Sequence, residues 1–265
     1  MIQPFSTTQI KQVFSFPFAD PHWQNKIIIG LAVMLAATFI PILPILVLYG
    51  YIYQIMHRVI VEDGELHLPE WGDLGKLFKD GWRFFCVSFL YHLPACLLLF
   101  AGLALYFGGL LGFMIQIEND PNTTHVFWFF LTIGLFWICL TVGSLLYGVV
   151  SFFIPPALGH TVANDSFKAG FEFSGWWPIF KANFGGFCLA LMIDIGLLAV
   201  IITVNQLLYM SMILICLMYV VGIAGGFYFL LVSSGLNALV YREGVEKIKS
   251  IPDAIVSAVA QENPA

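Results

Sequence analysis

The sequence predicts an all-α, polytopic transmembrane helical bundle. It has four full spans, a proline-broken re-entrant hairpin or kinked fifth helix, and amphipathic helices in the cytoplasmic interface. Three observations predict this. The chain is 60% hydrophobic and 10% charged, with a mean hydropathy of +0.89, whereas an ordinary soluble domain carries about a quarter charged residues. Its charges are gathered into short islands between apolar runs, several of them long enough for a spanning helix of about 20 residues. The basic residues occupy alternate islands, the pattern of a chain that crosses a membrane in pairs.

Residues 1–26 form an interfacial arm ending "FSFPFADPHWQNK", whose aromatic rings suit the membrane–water boundary. Asp20-Pro21 reads as a helix start. No leader peptide with a basic start and a short apolar core is expected there. The transmembrane domain is residues 27–241. Its first apolar run, 27–56, holds Pro41 and Pro44 near its midpoint. Pro69 opens an amphipathic helix at 68–83, with Trp71, Leu74, Leu77, Phe78 and Trp82 at helical spacing and charges between them. A span over 84–108 ends at Gly108-Gly109, and a span over 126–155 ends at "IPP". A second interfacial element, 165–183, carries Lys168, Lys181, Trp176 and Trp177. Spans 184–203 and 212–241 flank a polar break, "TVNQ", and residues 242–265 form a cytoplasmic tail.

Of the eleven basic residues, four lie in the second island, two in the fourth and three in the tail. That side is therefore cytoplasmic. Lys11 and Lys26 precede the first run. If the run crosses as one kinked, tilted helix, they lie outside. If it turns back at the prolines, every basic residue lies inside. A turn accounts for the thirty-residue length, the prolines and the charges together; a kinked span accounts for the prolines alone. The islands also share a rhythm: "HWQNK", "LFKDGWR" and "WWPIFKAN" precede apolar runs, and "HRVIVEDG", "HTVANDS" and "ALVYREG" follow them. The chain thus reads as three units of interfacial element, helical hairpin and polar exit, a form common in membrane proteins with internal repeats.

The segments "DPHWQNK", "GYIYQIMHRVIVEDGELHLPEW", "LFKDG" and "GFEFSGWWPIFKANFGGFCLAL" resemble an uncharacterised prokaryotic integral membrane family, domain of unknown function 4013. The resemblance covers roughly residues 14–243. It implies an integral membrane protein of a bacterial or archaeal cytoplasmic membrane. It carries no established activity, so no catalytic residue transfers with it.

Asp194 is the one ionisable acid inside the spanning runs. It lies ten residues past Phe184, about 15 Å along a helix and near mid-membrane. A charge there is expensive and marks a functional candidate; the plainer reading is an interhelical hydrogen bond. His92, with Tyr91 beside it, lies at a similar depth in the second run. Arg58, Lys76, Lys79, Arg83 and Lys181 are candidate contacts to anionic headgroups, or simply charges that set topology. Gly108-x-x-x-Gly112 and Gly222-x-x-x-Gly226 allow close helix approach, and Asn122-Thr123-Thr124 fits a glycosylation sequon.

The five cysteines lie in apolar runs without metal or disulfide spacing. No phosphate-binding loop, nucleophile elbow or zinc motif is present, and no basic stripe points to nucleic acid. We therefore expect no enzyme activity and no cofactor. The expected partners are the lipid bilayer and a membrane protein or a second copy of the chain. The expected role is a membrane-embedded subunit or scaffold; the alternative is a transporter or permease moving a small solute or lipid past Asp194.

Overall fold

In the computed structural model, residues 7–40, 42–62, 64–119 and 123–262 are described. They form eight α-helices: α1 (Thr7–Ser15), α2 (Trp23–Phe39), α3 (Ile42–Ile60), α4 (Leu74–Asn119), α5 (Thr123–Ala163), α6 (Phe173–Ala182), α7 (Phe184–Met210) and α8 (Ile215–Glu262). Short 3-10 turns at Phe16–Phe18 and Lys168–Phe171 complete the elements. Five helical segments are long and apolar enough to cross a membrane: Ile42–Ile60, Leu74–Ile115, Val126–Ala163, Phe184–Met210 and Cys216–Ser250. The chain is a polytopic all-α membrane protein.

It divides into two compact units. One is Met1–Val87 with Pro155–Ala265; the other is Ser88–Ile154. In the first unit α8 is the central helix, packed by α7, α3, α6, α2 and α1. Helix α3 is half-buried along its apolar window, far more than the other spans, so it forms the inner wall of the unit. Tyr51, Leu46, Ile55 and Met56 of α3, with Leu231, Leu236 and Tyr241 of α8, are among its largest fully buried side chains, together with Phe16.

Helix α2 stops at Phe39. Ile40, which precedes Pro41, takes an extended conformation, φ −126° and ψ 86°, as a residue before proline should. Pro41 lies outside the described residues. Pro44 falls in the first turn of α3, where its missing N–H has no intrahelical partner to lose. Helices α2 and α3 pack side by side. Gly30 of α2 and Tyr51 of α3 both meet Phe227 of α8, and Met34 shares a small apolar cavity with Leu48 and Ile52. The two helices therefore run antiparallel. In α7 and α8 the pairs Asp194–Ser233 and Ile201–Gly225 give the same antiparallel sense. In the second unit, Gly102 against Cys139, Gly109 against Thr132 and His92 against Ser151 define a third antiparallel pair.

Several helix ends differ from the sequence expectation. Pro69 does not open a helix: residues 64–73 form neither helix nor strand, and α4 starts at Leu74. The carbonyls of Leu68 and Pro69 are taken by Lys26 and Tyr51, so they are not free for a helical ladder. The cap is Asp73, whose carboxylate accepts the Lys76 N–H at 2.9 Å. Gly108-Gly109 does not end α4, which continues unbroken from the interfacial segment to Asn119. A Cβ on Gly108 or Gly112 would meet nothing from a neighbouring element within 4 Å, and Gly109 makes the close approach, to Thr132, instead. The "IPP" proline pair does not end α5. Ala157, Leu158 and Val162 are buried and Thr161 donates to the Ala157 carbonyl, so tertiary packing carries the helix past the prolines. The "TVNQ" segment is helical too. Thr203 and Asn205 bond back to the Ala199 and Ile201 carbonyls, and the chain turns at Ser211–Leu214, where Met212 has φ 52°. Asn122 of the sequon lies outside the described residues.

Candidate functional site

The residues that carry the resemblance converge in the first unit. Lys26, 6% exposed, donates to Asp20 Oδ2 at 2.7 Å and to the Leu68 carbonyl at 2.9 Å, and lies 2.7 Å from Glu70 Oε1. The Trp71 indole N–H donates to the Lys26 carbonyl at 2.9 Å. Tyr51 donates to the Pro69 carbonyl at 3.1 Å, and its ring stacks on Trp71 with centroids 4.0 Å apart and planes 8° apart. The "DPHWQNK", "GYIY" and "LPEW" segments are thus one clamp, which ties the start of α2 and the middle of α3 to the non-helical segment before α4. Lys26, then the His22 N–H, hold the Asp20 carboxyl below the usual carboxylate range.

Where α3 meets α4 the two backbones touch. A Cβ on Gly50 would lie 1.8 Å from the Leu77 carbonyl oxygen, and one on Gly81 would lie 1.8 Å from that of Leu46. Glycine at both positions lets the "GYIY" and "KDG" segments cross without side chains between them. This crossing sets Tyr53, His57 and Arg58, one and two turns further along α3, opposite Lys76, Lys79, Asp80 and Arg83 of α4.

Between them lies a cavity of about 910 Å³, also lined by Gln54, Glu62, Pro69, Asp73, Gly75 and Asp165. Four of the five headgroup candidates from the sequence, Arg58, Lys76, Lys79 and Arg83, line this one cavity. Lys181 does not; it sits over the Trp177 ring on α6, 5.7 Å from the centroid.

The acids of the lining are engaged. Asp165 accepts the Tyr53 hydroxyl at 2.6 Å and pairs with Arg83; Tyr53 first, then Arg83, hold its carboxyl below the usual range. It adopts φ 45°, a left-handed turn that Asp and Asn tolerate best. Glu62 lies 3.4 Å from His57 Nδ1, and Asp73 caps α4. Asp80 is 6% exposed, with Arg83 3.9 Å away. The side chains of Arg58, Lys76 and Lys79 make no salt bridge or hydrogen bond among the described residues, and Lys76 and Lys79 lie within electrostatic reach of the Asp80 carboxylate.

Asp165 and Tyr53 were not found by sequence reasoning, because the contact spans 112 residues. The available signal was the "AND" turn, a left-handed position following a polar helix exit.

The intramembrane candidates take separate partners. Asp194 Oδ2 accepts the Ser233 hydroxyl at 2.9 Å, and Asn237 donates to Ser233 at 3.2 Å. Asp194 Oδ1 is buried without a partner among the described residues. His92 bonds the Ser88 carbonyl and the Ser151 hydroxyl, and its ring lies 4.2 Å from Tyr147. Tyr91 is half-buried beside it. Among the described residues no three His, Cys, Asp or Glu side chains are grouped to hold a metal ion.

Neither a curated protein nor a solved structure is significantly similar to this chain. The family model described as "Protein of unknown function (DUF4013)" matches residues 33–210, and this span contains the α3–α4 crossing, the whole cavity lining and Asp194. The chain therefore belongs to the DUF4013 family.

Proposed function

We propose that this protein is a non-enzymatic component of a prokaryotic cytoplasmic membrane, which holds a lipid or a partner protein at its cytoplasmic face. The observation that carries the reading is the cavity at the end of α3, where Arg58, Lys76 and Lys79, from two helices, face one space and make no salt bridge among the described residues. Charges that served topology alone would have no reason to converge. The orientation rests on the basic residues: nine of eleven lie in the second island, the fourth island and the tail, which places the cavity and the C-terminus in the cytoplasm.

In this reading α2 and α3 form a re-entrant hairpin. The apolar length of α2, 27–39, rises roughly 20 Å at 1.5 Å per residue, short of a hydrocarbon core of about 30 Å, although α3 by itself is long enough to cross. The antiparallel pairing and the clamp at Lys26 support entry and exit on one side. Lys11 and Lys26 then join the other nine basic residues.

The test is extraction in mild detergent followed by mass spectrometry of what stays bound. A stoichiometric lipid or protein partner is expected; a bare chain overturns the proposal. A second reading, transport of a small solute, is favoured by the unpartnered Oδ1 of Asp194 near mid-membrane. It expects Asp194→Asn to abolish solute flux in reconstituted vesicles.

A further inference from the structure

We infer that the cavity between α3 and α4 is a binding site for a phosphate ester. The inference rests on the reading of this cavity as a contact site and names its ligand chemistry. The lining carries four basic and four acidic side chains, so its selectivity depends on which of them are committed. Arg83 is engaged with Asp165 and lies nearest Asp80. Glu62 faces His57, and Asp73 is held as the cap of α4. Arg58 from α3, and Lys76 and Lys79 from α4, make no salt bridge among the described residues; the Asp80 carboxylate acts electrostatically on both lysines but lies nearest Arg83, which leaves these three as the cations open to a ligand.

They surround the first turns of a long helix whose N-terminal end carries about half a positive charge. Gly75, which lines the cavity there, leaves the backbone of that turn open: a Cβ on it would meet nothing closer than Asp73 Oδ1 at 3.3 Å. A guanidinium fork, two mobile ammonium groups and a helix start match a phosphate, which offers several oxygens and up to two charges. A single carboxylate would leave at least one cation unpaired. The volume, about 910 Å³, lies near the upper end of small-molecule sites. It has room for the polar body esterified to the phosphate as well as the phosphate itself. A phospholipid headgroup and a soluble phosphorylated metabolite share this chemistry.

The test uses the full chain in a maltoside detergent, which has no phosphate. Inorganic phosphate, glycerol 3-phosphate and dioctanoyl phosphatidic acid are titrated separately by calorimetry. At least one of the two esters is expected to bind more tightly than inorganic phosphate. Phosphatidic acid ahead of glycerol 3-phosphate identifies a lipid; equal affinity identifies a soluble ligand. Each lost cation is expected to weaken binding about fivefold, so R58Q/K76Q/K79Q together weaken it about a hundredfold, while Lys181→Gln, outside the cavity, stays within about twofold. If the triple variant does not fold, Lys79→Gln alone is expected to weaken binding about fivefold and Lys79→Arg to leave it nearly unchanged. Failure of both esters to bind, or binding indifferent to these variants, overturns the inference. A chain that retains a stoichiometric lipid or protein yet ignores all three probes keeps the proposed function and loses the phosphate site.

Discussion

At the scale of single residues, the most committed side chain is Lys26. Its ammonium is buried and satisfied by two carboxylates and a carbonyl. Removing one partner of such a pair strands the other charge. Lys26→Met leaves Asp20, 11% exposed at its side chain, without its cation. The expected cost is about 3 kcal/mol, read as a lower melting temperature in detergent.

The two depressed carboxyls, Asp20 and Asp165, contribute to the acid response with the same sign. Both stabilise the fold fully above the unfolded value of about 3.9, and both lose that contribution as pH falls through their lower folded values. Melting temperature should therefore be insensitive to these two groups between about pH 5 and 7 and fall below about pH 4. Asp165→Asn should flatten part of that fall, as thermal melts across the acid range would measure. Because Asp165 is largely exposed, its share is small. Lys26 and Asp20 were legible as parts of an interfacial arm, but α2 starts at Trp23, behind His22, and not at Asp20-Pro21; the tie of Lys26 to Glu70, forty-four residues on, was not legible.

At the scale of elements, the α3–α4 crossing depends on Gly50 and Gly81. Gly81→Ala puts a methyl group against the Leu46 carbonyl and the Gly50 nitrogen. The helices must part, at a cost of about 1–3 kcal/mol, and the cavity they wall must change shape. Gly112→Ala, with nothing within 4 Å, should be neutral or stabilising by up to about 1 kcal/mol. Paired melts of the two variants separate a packing glycine from a merely helical one.

The apolar runs and the aromatic-basic islands were readable from composition and spacing. Helix ends were not. Pro155-Pro156 and "TVNQ" look like breaks when propensity is weighed alone. The burial of Ala157 and Val162, and the back-bonds of Thr203 and Asn205, decide otherwise. Pro69 looked like a helix start because the bonds that take the Leu68 and Pro69 carbonyls come from residues far away in sequence.

At the scale of the molecule, three antiparallel helix pairs follow three aromatic-and-basic segments, the order that the rhythm of the islands anticipates. The proposed topology puts both described chain ends on one side of the membrane. With the native cysteines replaced, Thr8→Cys and Lys249→Cys should both react with an impermeant thiol reagent from the cytoplasmic side. Labelling of Thr8→Cys from outside would overturn the re-entrant hairpin. The gathering of Arg58, Lys76, Lys79 and Arg83 around one cavity was foreshadowed by their sharing one island. That Lys181 stands apart was not, since its place over Trp177 is decided within α6.

The stack of Tyr51 on Trp71 has an optical consequence. Two aromatic chromophores held 4.0 Å apart and almost parallel lie in a fixed asymmetric field, and near-ultraviolet circular dichroism responds to such rigid tertiary order. Tyr51→Leu should remove a band from that spectrum while the far-ultraviolet helix signal stays. The clamp thus carries its own spectroscopic reporter, which distinguishes a helical chain that has inserted from one that has also locked.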